Sequence, residues 1–253
     1  MMREETVFGP IHSRRLGRSL GINLLPEKGK ICNFDCIYCE CGWNRDGLGD
    51  KLIPSAAKVR NDLENKLTEL MLEGTPIDSI TFSGDGEPTL NPEFPRIIDD
   101  TLFLRDAYYP SAKVSVLSNA SRVHIPEVFE ALRKVDNPIL KIDAPTDELV
   151  ARINQPAPGY SLSRVIEALE RFEGNFVLQT MFLKSKDFDS ASPEVLEGWM
   201  DIVRRLKPRK VMVYTIDRPT PEQGLEAFSV EKMRTLVKPL IDEGFRIDIK
   251  GKE

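Results

Sequence analysis

The sequence predicts an α/β fold, an open, partial barrel of mostly parallel strands with helices outside. Three observations lead there. Short apolar or β-branched runs alternate with amphipathic segments from end to end. Several of the runs are apolar almost throughout, as parallel strands buried on both faces are. The 253 residues match the usual length of a strand–helix barrel, yet six or seven strand–helix units are too few to close an eightfold one. What remains is a partial (β/α)6-type open TIM barrel.

The strands are expected at 19–25 (SLGINLL), 77–83 (IDSITFS), 113–118 (KVSVLS) and 138–143 (PILKID), then at 175–183, 210–216 and 245–249. A helix is expected over 55–73, where Val59, Leu63, Leu67, Leu70 and Met71 recur at helical spacing between Ser55 as N-cap and Gly74 as stop. Asn91-Pro92 opens the next helix, and Pro126 lies in the first turn of 125–134. Ser192-Pro193 starts 193–206, with Val195, Leu196, Trp199, Val203 and Leu206 inward, and the last helix, 229–243, carries Pro239. No repeat, low-complexity tract or linker divides the chain, so one domain over 1–253 is expected.

Composition excludes several classes. With 41% hydrophobic and 30% charged residues, the chain is neither disordered, collagenous nor a disulfide scaffold. No uncharged apolar run reaches the ~18 residues of a membrane span. The opening MMREETVF lacks the apolar core of a signal peptide, so a cytoplasmic location is expected. A net charge of −5 speaks against a broadly basic nucleic-acid-binding surface while leaving room for a local positive pocket.

The chemistry is concentrated in one loop. All four cysteines, Cys32, Cys36, Cys39 and Cys41, fall in ICNFDCIYCEC. Scattered core cysteines would not cluster in this way, and a reducing compartment gives structural disulfides little role. Structural zinc prefers two separated pairs of ligands, and the second pair is missing here. An iron–sulfur cluster suits the spacing better. C-x3-C-x2-C supplies three thiolates to a cube of four irons and leaves one iron open for another ligand. Cys41 as a fourth ligand sits only two residues from Cys39, too close to reach the opposite corner easily.

Cys32-x3-Cys36-x2-Cys39, with Tyr38 just before the last cysteine, resembles the signature of the radical S-adenosylmethionine (radical SAM) superfamily. VFGPIHSRRLGRSLGINLLP, CNFDCIYC and GDGEPTLNP together look like the group related to wyosine-type tRNA-modifying Fe–S oxidoreductases. Its archaeal members have further cysteines for a second cluster, and this chain has none outside 32–41. The resemblance implies a 4Fe–4S cluster on Cys32, Cys36 and Cys39, with S-adenosyl-L-methionine bound at the open iron. It also implies an external flavodoxin- or ferredoxin-like electron donor. Reductive cleavage would give a 5′-deoxyadenosyl radical that abstracts hydrogen from a substrate, either a small molecule such as a nucleoside or an RNA base. The alternatives are an activase for a glycyl-radical enzyme and a non-catalytic four-cysteine metal-binding module.

The remaining candidates lie at strand ends, where such folds collect function. In Gly84-Asp85-Gly86-Glu87 the glycines let backbone approach a ligand closely, and Glu87 offers a carboxylate to an ammonium. The resemblance implies that this segment binds the amino group of the methionine moiety. It also implies ribose and carboxylate contacts from Ser118, Asn119, Asp143 and Lys141. Gln179, inside an apolar strand, either bonds the cofactor or substrate or satisfies a polar neighbour. Arg14, Arg15 and Arg218 fall where a substrate carboxylate or phosphate would be clamped. Cys41 is either a hydrogen donor to a product radical or a mere neighbour. Of the two histidines, His12 and His124, the second sits at a helix start and reads as structural.

Overall fold

A computed structural model describes residues 5–13, 16–27, 29–47, 49 and 51–251. These form two compact units. The first takes in the described parts of Met1–Cys32, Asn44–Ser118 and Ile125–Pro138, and the second Asn33–Trp43, Asn119–His124 and Ile139–Glu253.

The first unit starts with a hairpin, β1 (Val7–Ser13) antiparallel to β2 (Gly17–Ile22). Helix α1 (Ala56–Leu72) follows, then β3 (Ser79–Phe82), α2 (Phe94–Tyr108), β4 (Lys113–Ser118) and α3 (Pro126–Lys134). β2, β3 and β4 run parallel, with Leu20 opposite Ile80 and Ile80 opposite Val114. All three side chains are fully buried. α1 begins as expected, Ser55 Oγ accepting the Lys58 amide, and buries Val59, Leu63, Leu67 and Leu70. Met71 departs from the expected stripe. It is 49% exposed, one residue and therefore about 100° round the helix from Leu70. Asn91-Pro92 precedes α2 rather than opening it: Asn91 Oδ1 caps the Glu93 amide at 2.9 Å, and the first helical turn holds Pro95.

The second unit carries β5 (Asn137–Lys141, from Ile139 on), α4 (Asp147–Ile153), α5 (Leu162–Glu170) and β6 (Val177–Met181). Then come β7 (Leu183–Lys184), α6 (Pro193–Leu206), β8 (Lys210–Tyr214), β9 (Glu226–Ala227), α7 (Val230–Asp242) and β10 (Ile247–Lys250). β5, β6, β8 and β10 are parallel neighbours in that order, while β7 and β9 form a separate antiparallel ribbon. The expected strand 175–183 therefore stops at Met181, and its last residue enters the ribbon. α6 has the expected bounds, burying Val195, Trp199, Val203 and Leu206 with Leu196 at the rim. α7 continues through Pro239. No helix among the described residues is long and apolar enough to cross a membrane.

Candidate functional site

In the first unit, the parallel register of β2 and β3 brings the chain after Ile22 beside the chain after Phe82. Asn23 joins them, its Oδ1 accepting from the Leu25 and Asp85 amides at 3.2 and 3.3 Å. One turn on, Ile31 bridges to Gly86: the Ile31 amide donates to Asp85 O and the Glu87 amide to Ile31 O, both at 3.1 Å. The glycines of 84–87 thus have an internal use. A Cβ on Gly86 would sit 1.8 Å from Ile31 O, and one on Gly84 would sit 2.0 Å from Asn23 Oδ1. This clamp fixes the residue immediately before Cys32, whose carbonyl accepts from Asn44 Nδ2 at 3.2 Å. The Glu87 carboxylate is buried. Its Oε1 accepts from the Thr89 amide (3.1 Å), Thr89 Oγ1 (2.6 Å) and Ser118 Oγ (2.8 Å). Glu87 and Ser118, read separately from the sequence, therefore meet.

In the second unit, the cysteine loop is held by the end of α4. The amides of Asp35 and Ile37 donate to Asn154 O and Ile153 O at 2.9 and 3.0 Å, satisfying carbonyls a helix C-terminus leaves open. The Ala157 amide donates to Asn33 O at 2.8 Å. Two successive turns follow, with Cys39 N on Cys36 O at 3.1 Å and Gly42 N on Cys39 O at 3.0 Å. Asn119 Nδ2 donates to Asn33 Oδ1 at 2.8 Å, and Asn33 Nδ2 to Ser121 Oγ at 2.7 Å, so the segment after β4 steadies the same loop.

Three expected residues come together around Cys36. Tyr38 donates a short hydrogen bond to Asp143 Oδ2, and Lys141 Nζ donates to the Tyr38 oxygen at 3.0 Å and to the Tyr214 hydroxyl. Asn154 Nδ2 reaches Asp143 Oδ2 at 2.7 Å, the Tyr38 oxygen at 3.0 Å and Cys36 Sγ at 3.3 Å. Asp143 Oδ1 accepts from the Met181 amide at 2.8 Å. Burial pushes the Cys36 thiol up to about 11, although the Lys141 charge and the Asn154 amide pull it back. Burial, then Asp143 and Cys36, holds the Tyr38 phenol well above its ordinary value. Burial alone would lower Lys141, but Asp143, Tyr214 and Cys36 outweigh it and hold the ammonium above the usual lysine range.

Gln179 lies in register with Lys141 on one side and Met212 on the other. It is 4% exposed, and its side-chain amide has no hydrogen-bond partner among the described residues. Arg218 is exposed and pairs with Glu40, next to Cys39, at 2.7 Å. Arg14 and Arg15 lie outside the described residues. Cys41 occupies the turn that closes at Gly42. Asn154 and Tyr214 were missed in the sequence. Alternation along Lys210, Met212 and Tyr214 marks the second, and its place as C-cap of α4 marks the first.

These donors fit an iron–sulfur cluster. The four thiols form no disulfide and are partly exposed. Cys36 faces an ammonium charge and an amide N–H, both of which favour an anionic sulfur.

A cysteine loop held by backbone hydrogen bonds and backed by buried Tyr38, Lys141 and Asp143 suits a metallocofactor protein. The chain belongs to the radical SAM superfamily, whose sequence profile matches residues 27–183. The family's cofactors are a 4Fe–4S cluster and S-adenosylmethionine. A UPF0026 protein of Helicobacter pylori is 30% identical over 220 residues, covering 85% of this chain and 67% of the relative. Among solved structures, a radical SAM methyltransferase from Sphaerobacter thermophilus superposes with a TM-score of 0.69 at 17% identity over 92% of this chain. SuiB of Streptococcus suis, bound to its precursor peptide SuiA, gives 0.65 at 17% over 88%. This chain spans 65% of the methyltransferase chain and 47% of SuiB. The likeness shows the fold, the α/β partial barrel of mostly parallel strands that the sequence predicts.

Proposed function

We propose that Cys32, Cys36 and Cys39 hold a 4Fe–4S cluster, and that the chain is a radical SAM enzyme acting on a nucleobase or nucleoside, free or in RNA. The observation that carries the cluster assignment is the C-x3-C-x2-C spacing on a loop whose cysteines form no disulfide. When bound, the cluster and S-adenosylmethionine supply reductive cleavage of the sulfonium to a hydrogen-abstracting 5′-deoxyadenosyl radical. The chain's own residues bind, orient and shield. The Ile31–Gly86 bridge holds the residue before Cys32, and the end of α4 holds the Asp35 and Ile37 amides. Asn154 and Lys141 direct positive polarity at the Cys36 sulfur. Glu87, aligned by Thr89 and Ser118, offers the ammonium of the methionine moiety a buried carboxylate. Asn119, Asp143 and Lys141 serve its ribose and carboxylate, and Gln179 presents an amide edge to cofactor or substrate. Arg218, Arg14 and Arg15 remain substrate candidates. A flavodoxin- or ferredoxin-like protein is the proposed reductant. The substrate assignment rests on the resemblance of the arginine-rich lead-in, the cysteine loop and GDGEPTLNP to wyosine-type enzymes.

The test is anaerobic reconstitution followed by dithionite and S-adenosylmethionine. Formation of 5′-deoxyadenosine and methionine is expected. A full cluster that binds S-adenosylmethionine and yields no 5′-deoxyadenosine overturns the proposal.

A further inference from the structure

Asn154 ends α4 and opens the proline-containing run 154–160 (NQPAPGY), and the main chain pins it from both sides. Its own amide donates to Val150 O at 2.8 Å, and its carbonyl accepts from Asp35. Gln155 then turns into the left-handed region at φ +44°, a position that favours glycine. The turn lays 156–157 along 33–34: Phe34 bridges to Pro156, and the Ala157 amide donates to Asn33 O. The Asn154 side chain is thus carried to the Cys36 thiol on backbone that is itself bonded to the cysteine loop.

The surroundings leave this buried amide one way round. A carboxylate only accepts, and Tyr38 spends its single O–H on Asp143. The Asn154 atom 2.7 Å from Asp143 Oδ2 and 3.0 Å from the Tyr38 oxygen is therefore the nitrogen, because a carbonyl oxygen there would face two acceptors. Its two hydrogens meet three acceptors. Asp143 Oδ2 and the Tyr38 oxygen, hydrogen-bonded to each other, share one, and the other is left for Cys36 Sγ at 3.3 Å. An N–H aimed at a cluster thiolate favours the state with more negative charge, which is the reduced one.

We propose that Asn154 is a positioning residue that holds the reduction potential of the cluster up by donating its carboxamide N–H to the Cys36 thiolate. That role rests on the assignment of the cluster to Cys32, Cys36 and Cys39, and on nothing concerning S-adenosylmethionine or substrate. The step it acts on is uptake of one electron by the cluster, supplied by dithionite in the test, with no bond made or broken in the protein.

The experiment is a redox titration of the anaerobically reconstituted protein, followed by electron paramagnetic resonance without S-adenosylmethionine. Asn154→Leu, of matching size, and Asn154→Ala both keep the main-chain bonds and remove the donor. Each should lower the reduced-to-oxidised ratio at a fixed potential by about tenfold, a shift of about 59 mV for one electron, with full iron content. Gln155→Gly relieves the left-handed turn without touching the amide and should leave the midpoint at its wild-type value. Wild type gives a second reading that needs no substitution: 15N in the asparagine side chains should alter the nitrogen modulation of the reduced cluster's spin echo. Wild-type potentials in both Asn154 variants, an equal shift in Gln155→Gly, or a modulation indifferent to the label overturns the donor role. Loss of the cluster in both Asn154 variants overturns it as well, because Asn154 is then a structural support. Wild type that takes up no iron overturns the cluster and the donor role together, whereas a full cluster whose potential ignores Asn154 removes the donor role alone.

Discussion

Gly86→Ala should be the most damaging small substitution near the cysteine loop. Gly86 has φ +140°, and an added Cβ would lie 1.8 Å from Ile31 O, 2.5 Å from Ile31 C and 2.7 Å from Leu25 Cδ1. Two of those atoms are backbone and have no rotamer to yield. The strand bridge must open, taking both of its 3.1 Å hydrogen bonds. Backbone strain of about 1–3 kcal/mol and two hydrogen bonds at about 1 kcal/mol each sum to roughly 4 kcal/mol. For a chain of this size that lowers Tm by roughly 12 °C. The control is Gly159→Ala, with φ +89° and nothing within 4 Å of the added carbon, which carries only the left-handed backbone cost of about 1 kcal/mol. Thermal denaturation of both variants, with iron content after anaerobic reconstitution, is the assay. Gly86→Ala should also bind less iron, because Ile31 carries the chain into Cys32. Equal melting temperatures, or a Gly86→Ala protein with full iron, would refute the clamp.

Asp78 accepts two side-chain bonds and one backbone bond from Arg18, which together hold its carboxyl down to about 2. The ionised folded form is therefore favoured: its stabilising effect is complete above the ordinary carboxylate range and fades as pH falls from about 4 to about 2. Urea midpoints of wild type and Asp78→Asn should converge across that window, and a gap that persists at its lower end counts against the pairing. Cys36→Ala should abolish cluster assembly while Cys41→Ala leaves iron content nearly unchanged; equal losses would mean that Cys41 is a ligand. Gln179→Met removes a buried amide that has no internal partner, so stability should hold or rise by about 1 kcal/mol while affinity for S-adenosylmethionine or substrate falls. A clear loss of stability would show that the amide serves the fold.

The parallel core was legible from its short apolar runs, and strand Lys113–Ser118 appears at its expected bounds; helix Pro193–Leu206 does so too, from its inward apolar stripe and Ser192-Pro193 start. The hairpin strand Val7–Ser13 was not, since Gly9-Pro10 and a register shift between Phe8 and Ile11 erase the two-residue alternation. α4 and α5 were also missed. Seven and nine residues are too few for a helical period to stand out, although their caps, Thr146 and Ser161, were visible. That mattered for the site, because α4 ends in Asn154, which touches Cys36, Tyr38 and Asp143. Glu87, Ser118, Lys141 and Asp143 were named from strand ends, but who bonds whom depends on register, which composition does not encode.

The account turns on an iron with room for a ligand from outside the chain. Electron paramagnetic resonance of the dithionite-reduced, anaerobically reconstituted protein, recorded before and after adding S-adenosylmethionine, tests it most directly. The predicted result is a reduced 4Fe–4S signal whose g-values change when S-adenosylmethionine binds, and which remains formable in Cys41→Ala. A signal indifferent to S-adenosylmethionine, or one lost with Cys41 as completely as with Cys36, would contradict it.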